Sequence, residues 1–524
     1  MPWLTIIIVI PLLAALAMFI VPEGGVAQAR LVAALGAGLT LVMSVLMLAN
    51  FHRDFPGPQF VDHAGWASQV GLDWIVWVDG ISIWLIMLTT GLFAISVAYL
   101  CFRTPDRPRA FLALIMLAEM GLLGLFSSGN LVLFYVFWEL MLVPFYFMIG
   151  MWGGAGRKLA SIKFVIYTMV GSLLMLVSIV STAVIAHGIT GVYTFDIVAL
   201  RNVDYTRPES IWLLAGFLLA FVIKLPLWPF HGWLPDAYRE SPIVVVALLA
   251  AVVSKAGVYG LLRIGLPLFP RGMAYFQYPI ILLALVSIVY GSLVAWRQPT
   301  MRMLVGYSSL AHLGFIALGI AAIDPQAAQG AVLQMVNHGV VVVAAFAIVA
   351  IISTRTGREK IDDIGGLAAG APWLSGIFLI VTMASLAIPG SNSFAGEFFI
   401  LSGTFRHDWW AVAIAMIGVV YASVYMLRLY QSSMNGPTRG GNPRRVELTV
   451  RDVVVLVPLI AVMVFIALWP QVLVGASSAS VNAAVAPAQV AVGRPRSEIR
   501  SVVLPNPLPA TVSSTAGATG GTSQ

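Results

Sequence analysis

An all-α, polytopic membrane protein is the fold class the sequence predicts, and three observations predict it. Of 524 residues, 60% are hydrophobic and only 10% are charged, too little polar surface to cover a soluble globule of this length. Apolar runs of about 20 residues, the length that crosses a bilayer, recur from end to end. Short polar or Gly/Pro-bearing turns separate them.

Fourteen such spans can be counted, at 2–21, 29–50, 79–102, 109–127, 129–149, 159–187, 210–236, 242–268, 276–296, 301–323, 327–353, 371–403, 409–431 and 451–474. The first has no basic residue ahead of its apolar core, so it lacks the charged start of a cleaved signal peptide. Residues 51–78 carry Trp66, Trp74 and Trp77 among polar residues; they read either as an extracytoplasmic segment at the membrane interface, where tryptophan rings settle, or as an ordinary packed loop. From Gly475 the chain is rich in Ala, Ser, Pro, Gly and Thr, which predicts disorder. The expected organisation is 1–108 (helices 1–3 with the extracytoplasmic loop), 109–268 (a first five-helix repeat), 269–431 (a second), 432–474 (a cytoplasmic loop and helix 14) and 475–524 (tail).

Composition also excludes classes of function. Cys101 is the only cysteine, so neither an intrachain disulfide nor a cluster held by four thiolates is possible. GGAGRK at Gly153–Lys158 lacks the spacing and the Ser/Thr of a phosphate loop, and no dinucleotide fingerprint is present. The net charge of +7 does not imply nucleic acid, because most basic residues lie between apolar runs. Loops after odd-numbered spans hold 18 Lys/Arg; even-numbered loops and the tail hold 9. Basic loops stay in the cytoplasm, so both termini are predicted outside it, in the periplasm or its equivalent.

Two spans should be broken. Span 7 contains FVIKLPLWPFHGWLPDA (Phe221–Ala237), and span 12 contains Pro389-Gly390-Ser391-Asn392; neither continues an undisturbed helix. Each is fourth in a block of five, spans 4–8 and 9–13. Five is odd, so related consecutive blocks would enter from opposite sides and form an inverted repeat. Interrupted helices at matching places point to a transport pathway, although proline also simply kinks membrane helices.

Ionisable residues inside spans cost about 3 kcal/mol or more each, so their presence asks for a reason. Glu139, Lys224, Lys255, His312, His338 and Glu397 occur one per span in consecutive or nearly consecutive spans, as a polar chain through the midplane requires. Glu139 and Lys224 read either as an ion pair joining two helices or as a switchable pair. A thousandfold change in the lysine's hold on its proton is about 4 kcal/mol. Moving one charge against about 180 mV costs as much. Lys255 has small neighbours, Ser254, Ala256 and Gly257, which leave room for water or for close helix approach. His312 and His338 are either relays, since imidazole both accepts and donates near neutral pH, or core histidines satisfied by Ser308 and Gln334 one turn away. Glu119 is a path member or a partner to span 5. His231 lies near the path or bonds carbonyls freed by Pro226, Pro229 and Pro235, near residues 222, 225 and 231. Metal-ligand spacing is absent, and no metal is expected.

FWELMLVPFYFMIG, KLPLWPFHGWLPDAYRESP, SKAGVYGLLR, YSSLAHLGF and MVNHG resemble the antiporter-like membrane subunits of proton-pumping NADH:quinone oxidoreductase, respiratory complex I. The resemblance runs to about Gln471, and Lys224–Pro242 is its most specific part. It implies fourteen helices, inverted repeats of spans 4–8 and 9–13, and broken helices 7 and 12. Glutamate at 397, where most relatives carry lysine, and the chain end soon after span 14 resemble the subunit M (chain 4) branch. On that resemblance Glu139 and Lys224 are the pump's pair, Lys255, His312 and His338 the central relay, and Glu397 the exit. This chain would hold no cofactor; flavin, iron–sulfur clusters and quinone would lie in partner subunits, with subunits of the L and N types as neighbours. Alternatives are a subunit of a multisubunit cation/proton antiporter or of a membrane-bound hydrogenase complex, or a purely structural membrane subunit.

Overall fold

The computed structural model describes residues 2–439 and 446–494. Helix accounts for 77% of the described residues. In chain order the elements are α1 (Trp3–Ala17), α2 (Val26–Ala49), β1 (Gln59–Ala67), β2 (Leu72–Val78), α3 (Ser82–Phe102), α4 (Pro108–Ser127), α5 (Leu131–Leu140), α6 (Leu142–Trp152), α7 (Arg157–Thr190), α8 (Ile197–Leu200), α9 (Arg207–Lys224), α10 (Leu234–Glu240), α11 (Ile243–Leu248), α12 (Lys255–Gly260), α13 (Leu266–Leu268), α14 (Pro270–Arg297), α15 (Met301–Ala321), α16 (Pro325–Thr356), α17 (Pro372–Ser385), α18 (Asn392–Phe405), α19 (Trp409–Met434), α20 (Val450–Leu468) and α21 (Gln471–Ala491). Among the described residues, eleven helices are long and apolar enough to cross a membrane. The sequence count of fourteen is higher because α1 has only 15 residues and the seventh and twelfth runs are divided.

Local chemistry sets many helix ends. Asn130, Thr300 and Asp324 accept amide hydrogens at the starts of α5, α15 and α16, and Thr206 with Glu209 forms a capping box on α9. Helix α9 stops at Lys224 because Pro226 has no N–H to continue it. Positive φ at Ala387 and Gly390 turns the chain between α17 and α18.

The burial pattern of a bundle in lipid is evident. Every residue of α15 from Met303 on is buried, and so is most of α16, whereas α2, α7 and α19 present large exposed apolar side chains such as Leu35, Ile166 and Val420. Helix α16 is central, packing against α15, α18, α20 and α21.

Three expectations change. Residues 59–78 are an antiparallel hairpin, with Trp66 exposed, Trp77 buried and Trp74 donating to Thr5 at 3.0 Å. The tail expected to be disordered from Gly475 begins instead as helix, since α21 buries a stripe of small residues, Ala476, Ser480 and Ala484 among them, against its neighbours. Small side chains cost little rotamer entropy to order, which is why a composition resembling disorder supports a packed helix. Residues 495–524 lie outside the described residues. Finally, the eighth run is not a plain α-helix: π-helical turns at Leu249–Val253 and Leu261–Gly265 flank α12.

Candidate functional site

The ionisable residues divide into two groups. In the first, α12, α15, α16 and α18 bring four side chains into contact. Lys255 is fully buried; its Nζ donates to Ala250 O at 2.8 Å and meets His338 Nδ1 at 2.6 Å. The carbonyl it reaches belongs to the first π-turn, the kind of irregularity that frees backbone groups at functional sites. The rings of His338 and His312 follow at 5.8 Å between centroids. His312 Nδ1 then lies 2.9 Å from Glu397 Oε1, which also accepts from Gln334 Nε2 at 3.1 Å. Both histidine Nε2 atoms are buried without a partner among the described residues.

Close helix contact makes this possible. Gly396 on α18 abuts Gln334 on α16; a Cβ there would fall 2.5 Å from Gln334 Oε1 and 3.2 Å from its Cα. Glu397, the next residue, is thereby held beside α15 and α16. Below it Asn337 and Asn392 bond to one another, the Asn337 amide donating to Asn392 O at 2.8 Å and the Asn392 amide to Asn337 Oδ1 at 3.2 Å.

In the second group, Glu139 and Lys224 are not hydrogen-bonded: neither Lys224 Nζ nor Glu139 Oε1 has a partner among the described residues. Lys224 is fully buried, with its ammonium 5.5 Å from the ring of Trp138 and 5.7 Å from that of Phe164. It is the last residue of α9, where the helix's negative end favours a cation. Glu139 is the penultimate residue of α5, and the helix is interrupted at Met141 before resuming as α6. Pro144, whose missing N–H faces the carbonyl of Leu140, accounts for that interruption within what is still one membrane-length span, Leu131–Trp152.

Several partners expected from spacing are replaced. Ser308 bonds Tyr425 at 3.0 Å rather than His312, and Gln334 serves Glu397 rather than His338. His231 meets Tyr290 at 3.4 Å, not a freed carbonyl. Two of those carbonyls are re-paired by the backbone: Leu227 N donates to Val222 O at 3.0 Å, and Leu234 N to His231 O at 2.9 Å. The small residues beside Lys255 serve close approach, since Gly257 abuts the backbone of Phe221 and Leu225. Glu119 is fully buried on α4, with both oxygens unpartnered among the described residues.

Sequence reasoning missed one buried network. Arg263, on the second π-turn, makes a two-pronged bond to Asp79 at 2.8 Å on each arm, and its Nε donates to Tyr259. Asp79 also accepts from the amides of Ile81 and Ser82, capping α3. The pair is separated by 184 residues, so only the shared rarity of buried charge signalled it. Among the described residues, no group of three His, Cys, Asp or Glu has metal-binding geometry.

Residues 128–422 match the family model described as NADH:quinone oxidoreductase/Mrp antiporter, transmembrane. NADH-quinone oxidoreductase subunit M of Mycobacterium tuberculosis is 36% identical over 505 residues, covering 90% of this chain and 91% of that one. The chain belongs to the subunit M family. The subunit M of Rhodobacter capsulatus is likewise 36% identical, with 89% of this chain and 93% of that relative covered. Among solved structures, a chain of respiratory complex I from Thermus thermophilus with bound NADH superposes with a TM-score of 0.84 at 28% identity, covering 94% of this chain and all of that one. The resemblance read from the motifs is therefore the family the comparisons find.

Proposed function

We propose that this chain is a proton-translocating membrane-arm subunit of an NADH:quinone oxidoreductase, with a route through Glu139, Lys224, Lys255, His338, His312 and Glu397. The observation that carries the reading is the run of contacts from Lys255 through both histidines to Glu397. A lysine ammonium facing an imidazole nitrogen at 2.6 Å can give it a proton. The ring then releases a proton from its other nitrogen, the property that suits histidine to relays. Transfer between the two rings proceeds by ring rotation or through one bridging water. Glu397 takes the proton from His312 and passes it out.

Lys224 and Glu139 act upstream as the loading pair. Without a fixed bond between them, a small shift of α5 against α9 changes the field each feels, and through it the lysine's hold on its proton. Flavin, iron–sulfur clusters and quinone belong to partner subunits, and subunits of the L and N types flank this one. The chain crosses the membrane fourteen times, with inverted repeats of spans 4–8 and 9–13; the matched breaks after Lys224 and between Ser385 and Asn392 support that topology. The charge asymmetry of the loops supports extracytoplasmic termini, on a bacterial inner membrane.

The test is quinone reductase activity and proton pumping of the reconstituted complex carrying Lys224→Ala or Glu397→Gln. Pumping is expected to fall in both. Wild-type values of both quantities in both variants would overturn the route.

A further inference from the structure

At one end of the bundle, where α9 and α14 begin and α18 and α21 end, the chain forms a cleft of about 880 Å³. Arg207, Arg271, Arg406, His407, Arg494 and Gln277 line it. Four of these are among the nine basic residues on the side that the loop charges assign to the outside, where such residues are scarce. Scattered chance placement does not bring nearly half of them to one cleft from four separate segments.

Arg207 and Arg271 sit in the first turns of two long helices, whose positive ends add to the field. Gln277 is 3% exposed, and its Nε2, a donor, has no partner among the described residues. Three carboxylates stand near the guanidinium groups: Asp204 at 3.1 Å from Arg271, Asp324 at 3.7 Å from Arg406 and 3.6 Å from His407, and Asp408 at 3.9 Å from Arg494. They offset part of the charge and leave a cationic excess.

The depth of the cleft identifies the anion. Tyr275 and Tyr278 on its rim are more than half exposed, and Trp212 and Trp409 nearby in the sequence of α9 and α19 are 77% and 65% exposed. Exposed tyrosine and tryptophan mark the headgroup level of a bilayer. Guanidinium groups match phosphate oxygens two at a time.

We propose that this cleft binds the phosphate of an anionic phospholipid headgroup, and that α21, through Arg494, is the element that completes the site. Arg494 already ties α21 to the turn before α16, its Nη1 donating to Ala322 O at 2.5 Å and Ile323 O at 3.2 Å. A lipid held there would bridge α9, α14, α18 and α21.

Hydrogen–deuterium exchange on the intact assembly, stripped of co-purified lipid, tests this at residues 270–278 and 484–494. Dioctanoyl phosphatidylglycerol, dioctanoyl phosphatidylcholine and inorganic phosphate are added separately. Phosphatidylglycerol is expected to slow exchange in both segments at concentrations where the other two do nothing. In Arg207→Gln/Arg494→Gln the concentration required should rise roughly a hundredfold, as loss of two charge-assisted bonds entails, with quinone reductase activity retained. Protection by inorganic phosphate alone, equal protection by both lipids, no protection by phosphatidylglycerol, or an unchanged response in the double variant would each overturn the proposal. If the double variant does not assemble, the comparison of the three ligands on the unaltered assembly decides.

Discussion

The two lysine-bearing parts of the membrane interior use buried charge in opposite ways. Lys255 is anchored, with a backbone carbonyl and an imidazole at bonding distance, and the chain of contacts continues to Glu397. Lys224 is equally buried but lies under two aromatic rings with no hydrogen bond among the described residues. An anchored group conducts because its neighbours already touch. An unanchored one can be tuned, because nothing but the surrounding field fixes its charge state. On the proposed route, the difference assigns gating to Lys224 and conduction to the stretch from Lys255 to Glu397.

The comparison can be broken at its strongest point first. Lys255→Ala removes the anchor and leaves His338 Nδ1 buried without its partner, so pumping by the reconstituted complex should fall by roughly a hundredfold, the lower range for loss of a positioned acid or base. Retention of more than half of the pumping would separate this lysine from the route. Lys224→Met should stop pumping to a comparable degree yet leave the subunit as stable as before or more so, because an unpaired buried charge is replaced by a side chain of similar shape. Glu397→Gln provides the contrast: it weakens two bonds to a charged acceptor, each worth about 1.5–3 kcal/mol, so thermal stability should drop along with pumping. Equal stability losses in Lys224→Met and Glu397→Gln would erase the distinction between the two regions.

Smaller effects sharpen it. Gly396→Ala should push α18 from α16 at a cost of about 1–3 kcal/mol, and pumping should fall while Lys255 and both histidines stay intact. Gln334→Ala, which removes one of the two donors to Glu397 Oε1, should cost about 1–2 kcal/mol and reduce pumping only partially. Both are read by melting of the purified complex and by pumping in vesicles.

Much of the organisation is legible in the residues taken one after another. The apolar runs announce the helices, Pro226 and Pro389 announce the interruptions, and a charge inside a run announces itself by its cost. The six proposed route residues were all found this way, and four of them meet in space. Their partners were not, because spacing within a helix ranks neighbours one turn apart, while the bonds made run between helices. Ser308 and Gln334 stand one turn from the histidines and bond elsewhere.

What only the tertiary structure decided is therefore the pairing: Glu397 with His312, Lys255 with His338, and Asp79 with Arg263 across 184 residues. It also decided that α21 is an ordered helix, since its small residues gain stability only from the helices they pack against. The reason is geometric. Helix position follows from local hydrophobicity, but which faces meet depends on how closely two backbones approach, and Gly396 against Gln334 fixes that distance through contacts that no local run of residues contains.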